Sequence, residues 1–112
     1  MSKSNIKTSG FCLAKRKELI GDDFYEIKQF DDLTIAVLCD GVGSATQGAL
    51  AAKKVTLHII NNFKNLPKAW SIEKAIKEFI TSINSILYAQ SIQEYERPEY
   101  ATTVTVCVIK GN

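Results

Sequence analysis

A chain of 112 residues that is 46% hydrophobic and 23% charged can fill one hydrophobic core and no more, which excludes a second domain and an extended disordered segment. The net charge is only +2, and apart from Lys15-Arg16-Lys17 the basic residues are scattered, so no nucleic-acid footprint is expected. The three cysteines Cys12, Cys39 and Cys107 lie far apart with no C-x-x-C pair, no apolar run has the length of a membrane span, and the polar start lacks a signal-peptide core, so a reduced cytoplasmic location with no membrane contact is expected.

Residues 6–14 are expected to form a first strand broken at Gly10, followed by a polar connection over 15–21. Residues 25–30 set Tyr25, Ile27 and Phe30 among polar side chains, residues 34–39 form a continuous apolar run, and Asp31-Asp32 between them supplies turn chemistry. The pattern predicts a β-hairpin. With Asp31 and Asp32 as its loop, Phe30 faces Leu33 and the pairing runs outward until Asp23 lies opposite Asp40, their Cβ atoms about 5 Å apart. Alternation then puts Asp23, Tyr25, Ile27, Ala36, Leu38 and Asp40 on one face, and Phe24, Phe30, Leu33, Ile35, Val37 and Cys39 on the other. Asp22 points away from Asp23 on this reading and reaches a shared ion only through water.

Ser44 with Gln47 three residues on fits a capping box, and Ala49, Ala52, Val55, Ile59 and Phe63 recur at helical spacing, predicting a helix over 45–63. Gly48 in its first turn costs about 1 kcal/mol against alanine, which points to a close approach of helix to sheet. Pro67 separates this helix from a second one, capped by Ser71, with Trp70 as a packing anchor. Its apolar stripe comprises Ile72, Ala75, Ile76, Phe79, Ile80, Ile83, Ile86 and Leu87, and it runs to about Tyr95, before Pro98. The last strand covers 102–109, with Thr103, Thr105 and Cys107 on one face and Val104, Val106 and Val108 on the other. The following Gly111-Asn112 is a hairpin-turn signal that announces a further strand. The expected architecture is an α+β fold: an antiparallel sheet with two antiparallel helices on one face. The other face, bearing Tyr25, Ile27 and Leu38, is left without its cover.

Two carboxylates facing each other on a ladder repel unless a cation lies between them or solvent screens both. Mg²⁺ or Mn²⁺ suits a site of few carboxylates completed by water. The alternative is a register slip, or a pair of solvated strand ends. His58 is the sole histidine and has no second ligand at metal spacing, so it reads as a surface or packing residue. Gly41, Gly43 and Gly48 do not complete G-x-G-x-x-G, and neither a P-loop nor an EF-hand fits.

Leu38-Cys39-Asp40-Gly41-Val42-Gly43, running into a helix with Gly48 and Ala49, resembles the signature of the metal-dependent protein phosphatases, the protein phosphatase 2C-like or PPM family. Gly21-Asp22-Asp23-Phe24 resembles its Asn-Glu-Asp or Gln-Asp motif, and Ala101-Thr102-Thr103 with the strand to Ile109 resembles its Gly-Thr-Thr strand. The resemblance implies that residues 1–112 are the N-terminal portion of a single phosphatase domain, part of an α-β-β-α sandwich. It implies a hydrolase in which Mn²⁺ or Mg²⁺ ions share a bridging water that attacks the phosphorus of a phosphoserine or phosphothreonine protein substrate. Asp23 and Asp40 would be metal ligands, with Asp40 bridging, the Gly41 carbonyl a further ligand, and Asp22 an outer partner. The family's phosphate-binding arginine falls at Glu18 in this chain; a bulge would bring Arg16 into its place, and otherwise Arg16 is a surface residue. The remaining family carboxylates are expected beyond Asn112, which implies weak metal binding and no turnover by these residues alone, with self-association or a missing C-terminal half completing the sheet. The competing expectations are a non-catalytic remnant or partner-binding module, and an unrelated α/β interaction domain whose Asp-Gly corner is only a turn.

Overall fold

Turn chemistry sets the hairpin. Asp31 adopts φ 54°, a left-handed conformation that aspartate tolerates better than most residues, and with Asp32 it joins β1 (Asp23–Phe30) to β2 (Leu33–Val42). The computed structural model describes residues 6–12, 22–42, 45–96 and 99–111. The chain continues through α1 (Ala45–Lys64), α2 (Ile72–Tyr95), β3 (Ala101–Thr102) and β4 (Thr105–Lys110). The β1–β2 register pairs Phe30 with Leu33 and Asp23 with Asp40, the pairing expected of a two-residue Asp-Asp loop.

β2 is the central strand. On its far side β4 pairs antiparallel along Leu33 to Leu38, and β3 pairs with Gly41 and Val42. The strand expected over 102–109 is therefore interrupted at Thr103-Val104, although both pieces keep one register against β2. Val104, Val106 and Val108 pack on the helix side as the alternation requires, while Cys107 is exposed on the opposite face. Residues 6–12 enter no strand, which corrects the first strand expected over 6–14, and its remaining residues lie outside the described ones. Instead this segment crosses the open sheet face: the Tyr25 hydroxyl donates to the Gly10 carbonyl and the Gln29 amide to the Ile6 carbonyl. Ser9 to Cys12 close a cavity of about 270 Å³ with Tyr25, Ile27, Ala36 and Leu38, yet Leu38 stays 50% exposed. The face expected to be bare is thus partly covered.

Both helices lie on the other face. Ile35, Val37 and Cys39 of β2 are buried there with Ala51, Ala52, Val55, Ile59, Ile60 and Phe63 of α1, and with Ala75, Phe79, Ile83 and Leu87 of α2. The helices are antiparallel, for Lys54 reaches Gln90, His58 reaches Ser82 and the Phe63 ring meets Phe79 edge-on at 5.2 Å. Ser71 caps α2 through its hydroxyl, which accepts from Lys74 N at 3.0 Å. Trp70 stacks tilted on Phe79, 6.0 Å between centroids, the packing role expected of it. Ile86 lies off the buried stripe and is 47% exposed; the stripe continues instead through Ser91. No helix among the described residues is long and apolar enough to cross a membrane.

Candidate metal centre

The sheet delivers three carboxylates to one corner. Gly41 N donates to the Asp22 carbonyl at 2.7 Å, so the ladder continues one residue past β1. Asp22 and Gly41 form a hydrogen-bonded pair, which makes the next pair, Asp23 and Asp40, a non-hydrogen-bonded one, the kind whose side chains stand closest. Carboxylate oxygens of Asp22, Asp23 and Asp40 all lie within 4.8 Å of one another, with Asp23 and Asp40 exposed and Asp22 half-buried.

The position of Asp22 corrects the expectation that it faces away. Strict alternation holds within a strand, and Asp22 precedes β1 in a bend, so its side chain is released from that rule and joins the other two. Glycine at position 41 answers a steric demand. Glycines with positive φ among the described residues are confined to Gly111, so Gly41 is not there for an unusual backbone conformation. It is there because a Cβ would stand 2.0 Å from the Gly48 carbonyl oxygen. Arg16 and Glu18 lie outside the described residues.

The donor set is chemically uniform. Three carboxylates offer hard oxygen ligands to a divalent ion of the Mg²⁺ or Mn²⁺ type, so the residues present fit such an ion. Cys39, next to Asp40, points to the buried side, where desolvation raises its thiol pKa against the opposing pull of the Thr56 and Thr102 hydroxyls. His58 is remote from the corner, hydrogen-bonded to Ser82 at 2.7 Å, as a packing residue would be.

Two threonines had no role in the sequence reading beyond their motif. Thr103 N donates to the Asp40 carbonyl at 2.9 Å, and its hydroxyl accepts from Asp40 N at 3.1 Å. The Thr102 hydroxyl donates to the Thr103 carbonyl at 2.8 Å. The adjacent Thr-Thr pair, in a segment otherwise patterned as a strand, was the available signal.

The described residues thus form an antiparallel sheet backed by two helices, with a carboxylate corner where the central strand meets a helix. A sequence profile described as protein phosphatase 2C matches residues 14–112, and the chain belongs to that family. Among solved structures, a crystal structure of RsbX in complex with magnesium is similar in fold, with a TM-score of 0.63 at 16% identity, covering 88% of this chain and 40% of that one. The phosphatase domain of the cell fate determinant SpoIIE from Bacillus subtilis, solved with a fragment of its regulatory domain, gives a TM-score of 0.60 at 20% identity, covering 87% of this chain and 25% of that one. This chain thus spans less than half the length of either. No curated protein matches it.

Proposed function

We propose that this chain supplies the carboxylate corner of a metal-dependent serine/threonine protein phosphatase, hydrolysing phosphomonoesters on protein substrates. The observation that carries the reading is the convergence of Asp22, Asp23 and Asp40 within 4.8 Å, in a chain of the phosphatase 2C family. Asp23 and Asp40 are the proposed ligands of Mg²⁺ or Mn²⁺, Asp22 is a third carboxylate in reach, and the Gly41 carbonyl is the proposed backbone ligand. When bound, such ions activate a water toward attack on phosphorus and neutralise charge building on the phosphoryl oxygens. The chain's own part is to hold the carboxylates: the hairpin fixes Asp23 opposite Asp40, and the Gly41–Asp22 hydrogen bond draws Asp22 to them. Arg16 is the proposed phosphate contact.

Three carboxylates are few for a site of more than one ion, so weak binding and no phosphopeptide turnover by the chain alone form part of the proposal. The half-exposed Leu38 beside Tyr25 and Ile27 supports completion of the sheet's open face by self-association or by a further sheet. Titration calorimetry with Mn²⁺ on the wild type and on Asp40→Asn tests the metal reading. Binding that Asp40→Asn weakens at least about tenfold supports it, and identical isotherms reject it.

A further inference from the structure

Asp40 is gripped from the break between β3 and β4 by a side chain where a backbone group is the rule. β3 and β4 keep one register against β2, so Thr103 faces Asp40 although it belongs to neither strand. In an ordinary hydrogen-bonded antiparallel pair the two residues exchange both N–H···O bonds through their carbonyls. Here one is conventional, from Thr103 N to the Asp40 carbonyl at 2.9 Å. The other is not: Asp40 N donates to the Thr103 hydroxyl at 3.1 Å, while the Thr103 carbonyl accepts from the Thr102 hydroxyl at 2.8 Å. The same Thr103 hydroxyl stands 3.4 Å from the Asp40 carbonyl, long for a second bond.

We propose that Thr103 is a positioning residue for Asp40, its hydroxyl bridging a deliberate break in the sheet so that the Asp40 backbone, and with it the carboxylate, is held at the distance from Asp22 and Asp23 that a divalent ion needs. The inference rests on the metal reading of Asp40 given above. The Asp40 carboxylate leaves the same Cα whose amide the hydroxyl holds, so a tilt of the peptide between Cys39 and Asp40 moves the ligand directly. On its other edge β2 is tied to β1 by the Gly41–Asp22 bond, next to Asp40 and not at it. The hydroxyl therefore supplies the bond that fixes the ligand's own amide. Threonine suits the task because its β-branch leaves few χ1 rotamers.

The mechanism separates from simple fold stability by choice of variant. Thr103→Val keeps the branch and the Thr103 N–H bond and deletes only the hydroxyl; Thr103→Ser keeps the hydroxyl and deletes the methyl. Amide hydrogen exchange at Asp40, read by NMR without metal, and Mn²⁺ affinity by calorimetry are measured on both variants and on the wild-type 112-residue chain, with circular dichroism as a check on folding. The expected result for Thr103→Val is faster exchange at the Asp40 amide and about tenfold weaker Mn²⁺ binding, the loss typical of an outer partner of a metal ligand, with wild-type values restored by Thr103→Ser. Thr103→Ala is the second hydroxyl-free variant, expected to lose the same two properties should Thr103→Val not fold. Unchanged exchange at Asp40 in a folded hydroxyl-free variant overturns the proposal, as does Mn²⁺ binding equal to wild type. Wild-type binding that Asp40→Asn weakens but Thr103→Val does not sinks the positioning role alone, whereas wild-type binding indifferent to Asp40→Asn sinks the metal reading and this inference with it.

Discussion

Gly41 on the central strand and Gly48 in the first helix touch backbone to backbone, and the contact is lopsided. A Cβ on Gly41 would lie 2.0 Å from the Gly48 carbonyl oxygen, 2.3 Å from the Gly48 carbonyl carbon and 2.7 Å from the Asp22 carbonyl oxygen. A Cβ on Gly48 would meet the Gly41 carbonyl carbon at 3.1 Å and Val42 N at 3.2 Å. The strand side has no room at all, while the helix side is merely tight. Since Gly41 follows Asp40 and is bonded to Asp22, this contact also sets how the carboxylate corner sits against α1.

Gly41→Ala is accordingly expected to be severe. The atoms in the way are backbone, so strand and helix must part, at a cost of about 3 kcal/mol or more. Gly48→Ala is expected to be mild, because about 1 kcal/mol gained in helix propensity offsets the crowding. Urea unfolding of both variants checks the contrast. Equal destabilisation would mean that the contact is not what requires glycine at position 41.

Much of this geometry was legible in the sequence. Asp31-Asp32 between two patterned strands gives the register of β1 and β2, and so the Asp23–Asp40 pair, because a two-residue loop leaves one pairing open. Ser71 and the recurrence of Ala75, Phe79, Ile83 and Leu87 define α2, and Gly48 in a helical turn signals the close approach. What escaped lies where the period-2 rule stops applying. Asp22 sits outside the strand, so its direction was not readable from alternation. The break at Thr103-Val104 is hidden in a run of β-formers that reads as one strand, since a hydroxyl replacing a ladder carbonyl does not disturb the alternation, and the adjacent Thr-Thr pair is its only mark. The αL cap of α2 falls on Glu96, at φ 60°, where neither glycine nor asparagine marks it.

His58 makes stability depend on pH. Its partial burial lowers the imidazole pKa from 6.5, outweighing a hydrogen bond to the Phe79 backbone that raises it. The Ser82 hydroxyl lies 2.7 Å from His58 Nε2 and donates to the Phe79 carbonyl at 3.1 Å. A pKa lower in the folded state than in the unfolded one means that the unfolded chain takes up the proton first. The contribution of His58 is therefore fully present above about pH 6.5 and is lost as pH falls through the folded pKa. Thermal melts from pH 7.5 to 5.0 should fall less steeply for His58→Gln than for the wild type; parallel curves would remove His58 as the cause.

Thr56 is buried with no hydrogen-bond partner for its hydroxyl among the described residues, although the Cys39 thiol beside it responds to that hydroxyl in its pKa. A thiol is a weak partner, so the desolvated hydroxyl should dominate the balance. Thr56→Val, which swaps the hydroxyl for a methyl of similar size, is expected to stabilise the fold by about 1 kcal/mol. A lower melting temperature would show that the Cys39–Thr56 contact is the stronger term.

Ser91 holds the connection that delivers Thr103 to Asp40. It is fully buried in α2, and its hydroxyl accepts from Glu99 N at 3.0 Å and from Tyr100 N at 2.8 Å, pinning the chain just before β3 pairs with Gly41 and Val42. Tyr100 is further anchored on the surface: it donates to Glu94, which pushes its phenol pKa up, it meets the Tyr95 ring edge-on at 5.8 Å, and the Lys54 amine lies 5.4 Å from its centroid. Ser91→Ala removes one acceptor from two part-buried N–H groups, a loss of about 1–3 kcal/mol in unfolding free energy. Because those donors sit at the start of β3, the loss should not be uniform. Hydrogen exchange is expected to quicken over 99–103 well before it changes in the β1–β2 hairpin, since local opening follows the bonds that are lost. Even protection across both segments would mean that Ser91 supports the core as a whole and has no particular hold on the segment that carries Thr103.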